Sequence, residues 1–390
     1  MWIQKRLDIS WRRLLASLAF PSFILDAETL DKKIAALWDA SGRCHSMTCL
    51  SVRTGFDLLL SAMDLAPNDE IIMTAVNIPH MFQIASGRGL KVVPAEIGSG
   101  TLAPDADALK SLITGRTRAI VAAHLFGARA DLSPIREAIK GRGIILIEDS
   151  SQYFPGPAEQ LLSDVRFYSF GTIKTCTALG GAVVSVRDEK LMAAMKTRHE
   201  SYPRQSEFSY KFKALKTMLL KFISGRAAFG ATTSLCGAFG IDIDAAMYRA
   251  TKSFTGNDFY EKIRKKPSAQ LLHTLLQRLS GFDGDGARLH KERCAALAAK
   301  LARRYELPGS AAPDHVYWAF PVVSAELKKR MPGFREKGFF LSSQQGICSF
   351  EENSEALKNS RALTGDIVYL PVYPELPNAE LDRLEKMLLD

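Results

Sequence analysis

The chain has 390 residues, 47% of them hydrophobic and 24% charged, which is room for two domains and a sizeable core and excludes fibrous, collagen-like and disordered classes. A formal charge of +9 suits anionic substrates or surfaces, and equally a plain solvated exterior. Six scattered cysteines (Cys44, Cys49, Cys176, Cys236, Cys294, Cys348) without a CxxC pair or zinc-ligand spacing imply a reduced, cytoplasmic protein with no metal.

In chain order, Trp2, Ile3, Leu7, Trp11, Leu14 and Leu15 are interleaved with Lys5, Arg6, Arg12 and Arg13 as a basic amphipathic surface. Such a surface either lies on an anionic membrane or packs against the core or a subunit interface. The apolar run 14–25 imitates a signal peptide, but Pro21 interrupts it and no clean small-residue cleavage site follows. It reads as part of the mature protein. A helix over 54–63 ends at the polar turn 66–69. Short apolar runs then follow at 71–74, 91–95, 119–123 and 144–147, with a polar helix over 132–140. Continuous apolar runs interleaved with helices are the pattern of buried parallel strands joined by right-handed crossovers, an α/β sheet. Runs at 167–170 and 181–186 flank the segment 171–180. The region 203–255 breaks the pattern, with Phe208, Phe212, Leu215, Leu219, Phe222 and Ile223 at helical spacing among Lys211, Lys213, Lys216 and Lys221. The run 227–241 is too short for a membrane-spanning helix. A helix over 287–305 and strand-like runs at 317–323 and 367–371 suggest a smaller α/β domain.

Three features carry chemistry. Ser51-Val52-Arg53-Thr54-Gly55 opens a helix, where backbone amides and the Thr54 hydroxyl would cradle a phosphate, although Ser and Thr at that place also serve as plain caps. Glu148-Asp149-Ser150-Ser151-Gln152 ends a strand, where open α/β sheets bind ligands; a loop cap is the alternative for Asp149. Ser169-Phe170-Gly171-Thr172-Ile173-Lys174 precedes Gly180-Gly181. A Lys in apolar, hydroxyl-rich surroundings loses basicity and becomes nucleophilic, unless it merely snorkels out of a loop. An amine, an upstream Asp and a hydroxyl-amide cradle form the set that pyridoxal phosphate (PLP) requires.

These segments resemble the DegT/DnrJ/StrS family of aminotransferases. The likeness extends to Asn68-Asp69-Glu70-Ile71-Ile72, Thr117-Arg118-Ala119-Ile120, His124-Leu125-Phe126-Gly127 and, more faintly, residues 370–376. The resemblance implies a fold-type-I PLP-dependent transferase. Its large domain would hold a mixed, mostly parallel seven-stranded sheet over 48–285, preceded by N-terminal helices in 1–47 and followed by a small C-terminal domain in 286–390. It implies that Lys174 bears the cofactor and shuttles a proton, and that Asp149 pairs with the ring nitrogen. Gln152 would lie near the ring oxygen, and Ser169, Thr54 and the Arg53 amide would hold the phosphate. Ile78 or His80 would stand where the family places an aromatic ring against the cofactor. Ser51-Val52-Arg53 departs from the family's Ser-Gly-Thr, and the partner-subunit Asn of many members has no clear counterpart before Gly256-Asn257. The implied reaction moves an amine from a donor, glutamate by analogy, to a carbonyl acceptor such as a nucleotide-linked keto sugar, in a homodimer with shared sites. A lipid-linked acceptor at a membrane surface and a non-enzymatic PLP-fold regulator or scaffold remain rival readings. Nucleic-acid binding has only net charge behind it.

Overall fold

The computed structural model describes residues 1–4, 7–40, 42–157, 162–251, 254, 256, 258–343, 346–350 and 355–390; Lys5, Arg6 and Asn257 lie outside the described residues. Seven strands form the central sheet: β1 (His45–Cys49), β2 (Glu70–Thr74), β3 (Lys91–Ala95), β4 (Thr117–Ala123), β5 (Ile145–Ser150), β6 (Val165–Ser169) and β7 (Ala182–Val186). Their spatial order is β1-β7-β6-β5-β4-β2-β3. Only β7 runs against both neighbours; the other pairs are parallel, giving the mixed, mostly parallel sheet expected.

Apart from the edge strand β1, the strands are mostly apolar, as strands covered on both faces are. On one face Ile71, Met73, Val121, Ile147 and Phe167 pack with Phe56, Leu59 and Met81, from helix α1 (Val52–Ala62) and helix Pro79–Ser86. On the other, Ile72, Ile120 and Leu146 pack with Leu132 and Ile135, while Tyr168, Phe170 and Val183 pack with Ile34, Trp38, Leu272 and Leu275. The edge strand β1, HSMTC, has no apolar run to announce it. Its register is held by acids of helix Ala27–Asp39: Thr48 N–H and hydroxyl donate to Asp31 Oδ1 at 2.8 and 2.5 Å, and Ser46 N–H donates to Asp39 Oδ2 at 3.2 Å.

Past the sheet, helix α2 (Glu207–Ile223) and helices Arg226–Ala238 and Ile243–Thr251 occupy the region that broke the pattern. The apolar stripe of α2 (Phe208, Phe212, Leu215, Leu219 and Phe222) faces outward; its buried face is Tyr210, Ala214 and Thr217. At the N-terminus the first apolar residues take the packed alternative of the two sequence readings, rather than lying on one amphipathic helix. Trp2–Ile3 is a strand paired in parallel with Phe339–Phe340, and Trp2, Ile3 and Leu7 are buried, which leaves Trp11 and Leu15 of helix Trp11–Ala19 exposed. Among the described residues no helix is long and apolar enough to cross a membrane. The C-terminal part centres on the antiparallel pair β8 (Phe320–Val323) and β9 (Ile367–Leu370), packed with helices α3 (Gly284–Leu301) and Asn378–Leu389 around Leu297, Val322, Val368 and Leu384.

Candidate active site

The carboxyl ends of β4, β5 and β6 open onto a cavity of about 860 Å³, the place where parallel sheets leave a crevice for ligands. Arg53, Ile78, His80, Asp149, Gln152, Ser169 and Lys174 all line it. Thr54 does not. It is fully buried beneath the first turn of α1, its N–H taken by the Ser51 cap at 3.2 Å and its hydroxyl donating to the Ile263 carbonyl at 2.7 Å.

Lys174 sits on the loop between β6 and β7, which is pinned at both ends. Lys174 N–H donates to Gly171 O at 3.0 Å, Ala178 and Gly180 N–H both reach Phe170 O, and Gly181 N–H reaches Leu50 O at 2.9 Å. Cys176 and Leu179 hold φ of 57° and 67°, uncommon for residues with side chains, so surrounding contacts impose the loop's shape. Burial lowers the Lys174 ammonium to about 7, Asp149 opposing and Arg53 adding to the effect. Its Nζ lies 4.1 Å from the centre of the Trp318 ring, whose indole N–H donates to Ile173 O at 2.9 Å. An amine close to neutral at physiological pH is a competent nucleophile and base.

Asp149, 4% exposed, ends β5 beside Ala123 of β4. Ser151 donates to its Oδ1 from both N–H (3.0 Å) and hydroxyl (2.5 Å), which fixes the carboxylate's plane. Below it Glu148 is wholly enclosed. Burial alone would raise its acid, but His124 Nε2 at 3.4 Å, Arg166 Nε at 3.3 Å and the Ser163 hydroxyl at 2.9 Å outweigh this and hold it at about 2. His124 accepts from Ala130 N–H at Nδ1, so its proton is on Nε2, toward Glu148. This network braces the strand end carrying Asp149. Gln152 Oε1 accepts from Phe126 N–H at 2.7 Å, which locks the amide at the cavity wall.

His80 and Ile78 separate clearly. The His80 ring stacks on Phe259 at 4.6 Å and 6°, and its Nδ1 accepts from Arg53 Nε at 3.1 Å. Ile78, half-buried on the cavity wall, carries no such commitment. The faint likeness over 370–376 also falls in place, since Leu370, Val372, Tyr373, Pro374 and Glu375 line the cavity. Sequence reasoning missed Trp318 and Tyr248, which reach the cavity from just before β8 and from helix Ile243–Thr251. No local spacing ties either to Lys174.

The profile of the DegT/DnrJ/EryC1/StrS aminotransferase family matches residues 26–219. GDP-perosamine synthase of Caulobacter vibrioides is 31% identical over 170 residues, a stretch covering 41% of this chain and 44% of that relative's length. An Escherichia coli GDP-4-keto-6-deoxy-D-mannose-3-dehydratase with bound hydrated PLP superposes with a TM-score of 0.70 at 15% identity, covering 100% of this chain and 99% of that one. The aminotransferase TlmJ of Streptoalloteichus hindustanus superposes at 0.69 with 18% identity, covering 100% and 98%. At such identities the superpositions establish the fold, that of fold-type-I PLP enzymes. Residues 26–219, which contain Arg53, Asp149, Ser169 and Lys174, belong to the DegT/DnrJ/EryC1/StrS aminotransferase family.

Proposed function

We propose that this protein is a PLP-dependent aminotransferase that takes an amino group from a donor, glutamate, and delivers it to a nucleotide-linked keto sugar. The observation that carries the reading is a lysine amine brought to about 7 inside the same cavity as a buried, oriented aspartate. PLP, when bound, supplies the electron sink that lets an amine and a carbonyl exchange places. Lys174 is the residue to bear it and, once its amine is free, to take the proton from the substrate carbon that carries nitrogen. Asp149, held by Ser151, would keep the ring nitrogen protonated. Gln152 and Ser169 would flank the ring and phosphate ends, and Ile78 would meet the ring face because His80 is stacked elsewhere. The acceptor class rests on the GDP-perosamine synthase relative. The free thiols suit a cytoplasmic setting. The outward apolar stripe of α2 fits a homodimer, the second copy covering that stripe.

The test is spectroscopic. Purified protein given PLP should develop a visible band that Lys174→Ala abolishes and that glutamate bleaches as the amine transfers. A protein that binds PLP identically with and without the Lys174 amine would sink the assignment. Mass spectrometry of nucleotide keto sugars incubated with the glutamate-treated enzyme then reads out the acceptor, as a sugar that has exchanged oxygen for an amine.

A further inference from the structure

Helix α2 does more than fill surface. Its buried face meets Leu14, Leu50, Leu179 and Leu271, and the Tyr210 hydroxyl donates to Ala178 O at 3.1 Å, which clamps the helix onto the loop that follows Lys174. Three residues on, Lys213 extends along that loop. Its Nζ lies 3.8 Å from the point where a side-chain carbon on Gly180 would stand, beside the Gly181–Leu50 hydrogen bond that joins the loop to the start of α1. Arg53, in the first turn of α1, projects into the cavity and is close enough for the two cations to repel.

The surroundings of Lys213 are unusual for a lysine. Burial lowers it to about 8, and the charges acting on it, Arg53 and Lys216, are both positive. Arg53 is itself lowered to about 10 by burial, against the pull of Asp149 and Tyr248. Its Nε is occupied by His80, and its guanidinium carbon lies 5.3 Å from the Phe254 ring centre, so the side chain is fixed rather than free to swing toward water. Both side chains are half-buried, and two cations held near each other away from bulk water cost free energy unless an anion compensates them. Arg53 stands in the first turn of α1, whose leading amides favour negative charge, and Lys213 approaches from the Gly180 side of the loop.

We propose that Lys213 and the Arg53 guanidinium form a cationic clamp for the phosphomonoester of the cofactor, built within one chain by helix α2. The inference rests on the cofactor reading above and gives helix α2 a function at the site. A phosphomonoester carries roughly −1.5 to −2 charge at neutral pH, which matches two cations. The clamp takes the place of the hydroxyl that Thr54 directs elsewhere, to Ile263.

The experiment titrates the protein, freed of cofactor, with PLP and with pyridoxal, which has the same ring and aldehyde but no phosphate, following the Lys174-dependent visible band. Lys213→Met should weaken PLP binding by about tenfold to a hundredfold and leave pyridoxal binding unchanged, and Lys213→Arg should restore most of the PLP affinity. Inorganic phosphate should compete with PLP in the wild type and far less in Lys213→Met. Wild-type PLP affinity in Lys213→Met overturns the clamp, as does an equal loss for PLP and pyridoxal, which would mark general damage to the fold. A wild type that forms no Lys174-dependent band with either aldehyde overturns the cofactor reading and this inference with it.

Discussion

At the scale of single residues, Lys174 is set by three neighbours that pull in different directions. Burial and Arg53 disfavour its ammonium; Asp149 and the Trp318 ring favour it. The rate at which the lysine captures an aldehyde should therefore rise with pH up to about 7 and level off above, because only the neutral amine attacks. Removing Arg53 removes a repelling cation, so in Arg53→Met the midpoint moves to higher pH. Removing the π face of Trp318 withdraws about 0.5–2 kcal/mol of cation stabilisation. In Trp318→Leu, which keeps an apolar cover, the midpoint moves to lower pH. Stopped-flow capture of pyridoxal, whose lack of phosphate isolates the amine from the phosphate end, checks both; shifts of the same sign would contradict this account.

At the scale of elements, the turn after β4 and the segment before β8 form one joint. Gly127, at φ +99°, lies so close to the neighbouring chain that a side-chain carbon there would stand 2.4 Å from Trp318 N and 2.9 Å from Tyr317 N. Backbone cannot step aside as a flexible side chain can. Gly127→Ala should lower stability by about 1–3 kcal/mol and shift Trp318 off Lys174, read as an earlier denaturant midpoint and altered indole fluorescence. An unchanged midpoint would show that the joint yields. This joint also explains what the sequence could reveal. Asp149, Ser169 and Lys174 were legible because they lie in or just after the short apolar runs at 144–147 and 167–170, and those runs lie in neighbouring strands of the sheet. Trp318 was not, since its hydrogen bond to Ile173 spans 145 positions and no periodicity links the two. Strand β1 was missed because side chains of Asp31 and Asp39, rather than an apolar pattern, hold it in the sheet. Helix α2 was recognised as helical, but it has apolar residues on two sides, and spacing alone did not say which side turns inward. Thr54 looked like a phosphate ligand by type; only packing reveals that its hydroxyl points to Ile263.

At the scale of the molecule, the outward stripe of α2 is the face on which the proposed dimer would form. Phe208 is 77% exposed and Phe222 64%, with three more large apolar residues between them on the same side. Phe212→Glu combined with Leu219→Glu should change the stability of one subunit little, since both sites are exposed, while converting the proposed dimer to monomer in sedimentation velocity. A wild type that already sediments as a monomer would remove the subunit contact from this face. A different long-range contact governs how the chain comes together in time. Trp2 and Ile3 pair with Phe339 and Phe340, and Trp2 joins the core of Leu297, Phe320 and Leu384. These first residues leave the ribosome long before their partner strand exists, tens of seconds at roughly 5–20 residues per second. The central sheet can close meanwhile, because its strands all lie within 45–186. Trp2 and Ile3 thus stay unpaired while the central sheet closes, and their seating waits on the C-terminal core that Phe339 and Leu384 belong to.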